Sequence, residues 1–167
     1  AAEKGELSKQ LAIVEDMITR QVNAIAIAPV DSAGIAPAVN KALAAGIPVV
    51  AVDTGVSGAD ITSYVATDNI KAARVQGEWA ATQVKSGDTV IYVTGDQGQS
   101  TGRERKQGFL DGLNGKVQGV KVVEVPTAWD QTQAQNGVEA ALRANPDAKV
   151  IANAWDGGAL GAKAAMM

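Results

Sequence analysis

The sequence predicts an α/β protein built on parallel sheets. Short apolar runs alternate with longer segments of helical periodicity along the whole chain. The runs are strand-length and apolar, which suits strands covered by helices on both faces. Several helical segments begin at Asp or Ser and stop at Gly or Asn-Pro, the residues of helix caps and breaks.

Taken in order, "LSKQLAIVEDMITR" places Leu7, Leu11, Val14 and Ile18 on one helical stripe. "NAIAIAP" is a short apolar strand ending at Pro29. "DSAGIAPAVNKALAAG" is a helix with Asp31 or Ser32 as N-cap and Gly46 as stop. "IPVVAVD" and "ITSYVATD" are strands in close succession, and "NIKAARVQGEWAATQVKSG" is a helix ending near Gly87. "DTVIYVTG" is the next strand. A glycine-rich loop follows, then a helix with Phe109 and Leu113 facing inward. "VKVVEVPTA" is a strand, and "DQTQAQNGVEAALRANP" is a helix capped by Asp130 and stopped at Asn145-Pro146. "AKVIANA" is the last strand, and "DGGALGAKAAMM" opens a last helix.

Composition removes several chemistries. The 167 residues carry a net charge of −3 with no long basic run, which disfavours nucleic acid or an anionic membrane as partner. No apolar stretch is long enough to span a bilayer. Cysteine and histidine are both absent, so thiol nucleophiles, Ser-His triads and nearly all zinc arrangements are excluded. No cofactor is implied. "AAEKGELSKQ" does not read as a secretory signal: either one has been removed or the protein is cytoplasmic.

Ligands of parallel α/β sheets sit beyond the carboxyl ends of the strands, so the residues there matter most. Asp31, Asp53, Asp68, Asp96, Asp130 and Asp156 all stand near strand ends. Helices follow Asp31, Asp68 and Asp130 at once, and capping accounts for them; Asp156 also fits a cap. Asp53 precedes "TGVSGAD" and then a strand, so it has no helix to cap. It is a candidate to accept hydrogen bonds from ligand hydroxyls, with turn stabilisation as the alternative. Arg105 shares the inward stripe with Phe109 and Leu113. Buried there it needs a partner, either an acid such as Glu104 or a bound group facing its planar donor fork. Arg103 should face solvent or the helix flank. Trp129 and Trp155 both stand at strand ends before an Asp, where a flat ring can fill core or stack on a sugar. Trp79, in mid-helix, reads as packing. The loop glycines Gly95, Gly98 and Gly102 match neither the dinucleotide fingerprint nor a P-loop.

"EDMITRQVNAIAIAPVDSAGIAPAVNKALAAGIPVVAVDTGV", "SYVATDN", "STGRERKQGF" and "NPDAKVIANAWDGGALGA" together resemble the ribose-type sugar-binding proteins of bacterial ABC transporters, in order over essentially the whole chain. Ligand cores of LacI-type repressors share that fold. The resemblance implies two Rossmann-like lobes of the type I periplasmic-binding-protein fold, incomplete at both ends, which close on a sugar by a hinge. Residues 1–68 then belong to the first lobe, without its first strand, first helix and second strand. Residues 69–87 form a helix at the lobe junction, and 88–167 belong to the second lobe, without its C-terminal part. "NAIAIAP" would consequently stand as an apolar sheet edge.

Carried over residue by residue, Asp53 matches the family's hydroxyl-accepting aspartate and Arg105 its sugar-binding arginine. Thr67 stands where a small hydroxyl residue lines the first lobe. Asp96 stands in the loop after the second lobe's first strand, where ribose binders have an apolar residue. Trp129 stands at an aromatic stacking position. Ala28 and Trp155 replace two asparagines common in ribose binders, so the expected ligand is another pentose, a hexose or a polyol. The expected function is a periplasmic, non-enzymatic sugar-binding component that delivers its ligand to a membrane permease, without inserting in the membrane. The alternatives are a repressor core and, at greater distance, a glycoside-processing enzyme using Asp53 and Asp96, which needs carboxyls about 5 to 9.5 Å apart.

Overall fold

The computed structural model describes residues 6–167, which contain six helices and six strands in regular alternation apart from the adjacent β2 and β3. The described chain divides into two compact units, residues 6–67 with 98–101, and residues 68–97 with 102–167.

The first unit carries α1 (Leu7–Thr19), β1 (Ile25–Ile27), α2 (Ala36–Ala44), β2 (Val49–Val52) and β3 (Ser63–Val65). Its sheet has the order β1-β2-β3, all parallel, with Ile25 opposite Val49 and Ala51 opposite Tyr64. Bulky and small residues alternate along β1, so Ile25 and Ile27 go inward and Ala26 outward. They meet Val49, the α1 stripe of Leu7, Leu11, Val14 and Ile18, and Ile35, Val39 and Ala42 on and beside α2. Expected cover on both faces is not found here. Among the described residues both helices pack on one face, leaving Ala26 and Val52 exposed and β3 exposed throughout. As expected, β1 is an edge, paired among the described residues with β2 alone.

One predicted cap moves. Helix α2 starts at Ala36, with Pro37 in its first turn, where the missing N–H costs nothing. Asp31 instead caps the turn before it, its Oδ1 accepting from Ala33 N at 3.0 Å and Gly34 N at 2.6 Å. Ser32 is buried and accepts from Ser100 N at 2.9 Å. Gly46 ends the helix with φ +76°, the left-handed conformation that favours glycine.

The second unit carries α3 (Asn69–Ala81), β4 (Thr89–Val93), α4 (Ser100–Asn114, from Gly102 onward in this unit), β5 (Lys121–Val125), α5 (Gln131–Ala144), β6 (Val150–Asn153) and α6 (Asp156–Ala165). Its parallel sheet has the order β5-β4-β6, and the middle strand is buried along nearly its whole length. Val90 and Tyr92 face Phe109 and Leu113 on one side, while Ile91 and Val93 face Ala134, Val138 and Ala162 on the other. Helix α3 belongs to this unit and ends at Ala81, short of Gly87. It crosses α4 at backbone distance. A Cβ on Gly77 would strike the Phe109 carbonyl, one on Gly108 that of Ile70, and one on Gly112 that of Arg74. Asp68 and Asp130 cap α3 and α5 as expected, accepting from Lys71 N at 3.0 Å and Gln133 N at 2.8 Å. Asp156 lies in the first turn of α6 rather than at its cap, where its charge suits the helix dipole. Trp79, expected to pack, is 59% exposed because the close α3–α4 contact falls on the Gly77 side of its helix. Among the described residues no helix is long and apolar enough to cross a membrane.

Candidate functional site

In the second unit three of the predicted residues come together. Arg105 lies in the second turn of α4. Its Nε donates to Asn69 Oδ1 at 2.9 Å, and its Nη1 donates to the carbonyl of Ala154, just past β6, at 2.8 Å. The guanidinium lies over the Trp129 ring, 5.7 Å from the centroid, a cation–π placement worth about 0.5–2 kcal/mol. Trp129 meets Trp155 edge to face, with centroids 5.3 Å apart and planes at 88°. The salt bridge that sequence left open for Arg105 does not form among the described residues. Glu104 receives instead a hydrogen bond from Asn69 Nδ2 at 3.1 Å. Arg103 is exposed, donating to the Gln97 carbonyl at 2.8 Å.

Trp129 is held in a conformation that bulky residues rarely adopt, with φ +58°. Its neighbours impose it. Thr127 Oγ1 donates to the Thr94 carbonyl at 2.7 Å, and Ala128 N donates to Gln133 Oε1 at 3.1 Å. Asp130 is committed to capping α5. The indole then lies on Gly95, where any Cβ would collide with it. Such strain costs about 1–3 kcal/mol and persists only where surrounding contacts over-determine it. Asp96 sits beside this glycine in the β4–α4 loop, with its backbone pressed against Gly102.

Beneath the pair of tryptophans, Tyr92 stacks on Phe109 with centroids 4.3 Å apart. Its buried hydroxyl has no hydrogen-bond partner among the described residues. Burial pushes the Tyr92 phenol up from its ordinary value; the Arg105 charge opposes this and Glu124 adds to it.

The first unit holds Asp53 and Thr67, and among the described residues no hydrogen bond joins them. Asp53 follows β2 with φ +64°, at the centre of a γ-turn closed by Thr54 N donating to the Val52 carbonyl at 2.7 Å. Its own N–H donates to Val65 O at 2.9 Å, and its carbonyl accepts from Tyr64 OH at 2.9 Å. The exposed carboxylate has one long contact, from its neighbour Thr54 Oγ1 at 3.3 Å. Thr54 is itself buried and bonded to Thr101 Oγ1 at 2.9 Å. Thr67 is exposed, and its hydroxyl has no partner among the described residues. No cluster of acidic side chains capable of holding a metal ion occurs among the described residues.

Sequence reasoning missed Asn69. "ATDN" announces its capping neighbour Asp68, and nothing in local spacing signals that the next side chain spans to a helix more than thirty residues on. The Ala154 carbonyl was equally silent, since any strand end offers one.

Comparison with known proteins is consistent across the whole chain. The family model for the periplasmic binding protein domain matches residues 1–167. The D-ribose/D-allose-binding protein of Pseudomonas aeruginosa is 34% identical over 96% of this chain and 52% of its own length. An ABC transporter solute binding protein from Burkholderia multivorans superposes with a TM-score of 0.88 at 32% identity, over 99% of this chain and 60% of that one. The Caulobacter myo-inositol binding protein, solved with myo-inositol, gives a TM-score of 0.91 at 26% identity, over 97% of this chain and 56% of that one. The chain thus spans about half the length of the curated relatives it matches. By its parallel α/β units and this match over every residue, the chain belongs to the periplasmic binding protein domain family.

Proposed function

We propose that this chain forms part of the periplasmic substrate-binding component of a bacterial sugar ABC importer, which captures a monosaccharide or polyol and presents it to a membrane permease. The observation that carries the reading is the Arg105 constellation. Two of the five guanidinium N–H groups are tied to the protein, and the plane is steadied by an indole face. Three N–H groups are left to donate to hydroxyls, and a second indole lies beside the first to cover C–H surface. Planar donors next to aromatic faces suit a polyhydroxylated ring. In the first unit, the exposed carboxylate of Asp53 accepts hydroxyl hydrogens, with Thr67 alongside it in role. Asp96 joins Arg105, Trp129 and Trp155 as the set contributed by the second unit.

The relatives described above are binding proteins for D-ribose or D-allose and for myo-inositol. A non-catalytic role follows that pattern. Ala28 and Trp155, where ribose binders commonly carry asparagine, favour another pentose, a hexose or a polyol over ribose, because two amides are exchanged for a methyl and a ring.

Calorimetric titration of the protein at its full natural length with D-allose, D-ribose and myo-inositol tests this. One of these should bind, and Arg105→Ala should weaken it at least about a hundred-fold, as befits charge-assisted bonds, with the fold intact. Binding of none of the three, or unchanged affinity in the variant, refutes the assignment.

A further inference from the structure

Asn69 is 2% exposed, yet it is a polar residue on the first turn of a helix. Both ends of its amide are in use. Nδ2 donates to Glu104 Oε2 at 3.1 Å, and Oδ1 accepts from Arg105 Nε at 2.9 Å. One short side chain therefore holds two consecutive residues of α4. It reaches them because Gly77, Gly108 and Gly112 let α3 and α4 approach backbone to backbone.

The consequence lies in the guanidinium. A planar fork free to turn about its stem presents its donors in many directions, and ordering it on binding costs conformational entropy. Here Nε is pinned by Asn69, Nη1 by the Ala154 carbonyl, and one face is covered by Trp129. Two bonds at different nitrogens fix the plane of the fork, and the Trp129 ring 5.7 Å away limits its sweep. The carbonyl and the ring are held by strand β6 and the Trp129 loop, while the remaining anchor is the Asn69 amide. The Glu104 bond decides which way round that amide sits. A carboxylate accepts only, so Nδ2 must face Glu104 and Oδ1 must face Arg105.

We infer that Asn69 is a positioning residue, which with Glu104 fixes the direction of the Arg105 donors and so sets ligand affinity without touching ligand. This rests on the sugar-binding reading for its effect on affinity, and on geometry alone for its effect on Arg105.

The test has two arms, both on the protein at its full natural length. The first needs no ligand. In side-chain 15N NMR at neutral pH, the Arg105 Nε–H should exchange slowly in the native protein and in the double variant Asn69→Asp with Glu104→Gln, which reverses donor and acceptor in the bond between residues 69 and 104 and keeps the acceptor facing Arg105 Nε. It should exchange fast in Asn69→Ala. Slow exchange in Asn69→Ala, or fast exchange in the double variant with α3 and α4 intact by backbone shifts, overturns the positioning role. The second arm titrates D-allose, D-ribose and myo-inositol. Asn69→Ala should bind about ten-fold more weakly, what one hydrogen bond to a charged group is worth. The same change should cost nothing further in an Arg105→Lys background, which lacks Nε–H, and the double variant should recover native affinity. Equal losses in both backgrounds mean a general structural role and overturn the inference. If none of the three binds native protein, the sugar reading fails, and the exchange arm alone decides for or against Asn69.

Discussion

The sheet of the second unit is covered on both faces, and that of the first, among the described residues, on one. The candidate residues follow the same contrast. Arg105, Trp129 and Trp155 are half-buried and braced by one another, by Asn69 and by Gly95. Asp53 and Thr67 are exposed, and the Asp53 carboxylate touches little beyond its neighbour. The difference teaches where preorganisation resides. In the second unit the groups are fixed by protein contacts alone, at the cost of a strained tryptophan. In the first, the backbone of Asp53 is fixed by its γ-turn and by Tyr64, and the carboxylate is held by one long hydrogen bond, from Thr54 Oγ1 at 3.3 Å.

The largest expected effect lies where the second unit is tightest. Gly108→Ala drives a methyl into the Ile70 carbonyl and forces α3 from α4, and it should cost about 3 kcal/mol in urea unfolding. A loss below about 1 kcal/mol would show that the crossing yields easily, and the contrast between the units would weaken. Next comes the pair Trp129→Ala and Asp53→Asn. The first loses a half-buried indole but sheds part of its strain, for a net cost of about 2 kcal/mol. The second should change stability by less than about 0.5 kcal/mol. Equal melting shifts for the two would erase the distinction between a braced and an open set of groups.

Smaller effects sharpen it. Asp68→Ala and Asp130→Ala each remove a helix N-cap and should cost about 1 kcal/mol. Asp31→Ala, which removes the cap of a turn, should cost less; the reverse order in parallel melts would contradict the cap assignments. Tyr92→Phe deletes a buried hydroxyl without a partner and should shift stability at pH 7 by less than about 0.5 kcal/mol. Its signature is alkaline. Because burial raises the phenol, the unfolded chain gives up this proton first, near pH 10. Native stability therefore falls as pH rises beyond that point. The phenylalanine variant should show a shallower decline between pH 10 and 11, read as unfolding midpoints against pH; identical slopes would place the phenol in solvent.

Much of the architecture was legible residue by residue. The Leu7–Leu11–Val14–Ile18 stripe, the Gly46 stop and the caps at Asp68 and Asp130 all express physics that acts within a turn or two of chain. The inward faces of Phe109 and Leu113 followed from helical spacing in the same way. Trp79 misled because periodicity places a residue on a face without saying what covers that face. Asp31 misled because a cap serves whichever turn comes first, and Pro37 delayed the helix.

What the chain determined by itself is thus its alternation of strands and helices, its parallel class, and its supply of carboxylates and indoles at strand ends and of a guanidinium early in the helix after β4. These depend on local propensity and on the period of burial, which neighbouring residues carry between them. Only tertiary structure decided that Arg105 answers to Asn69 and Ala154 rather than to an acid, and that Trp129 bends into the left-handed region above Gly95. It also decided that residues 98–101 join the first unit while the rest of α4 joins the second. Those outcomes are set by groups far apart in sequence competing for the same hydrogen bonds and the same space, and no local pattern encodes the result of that competition.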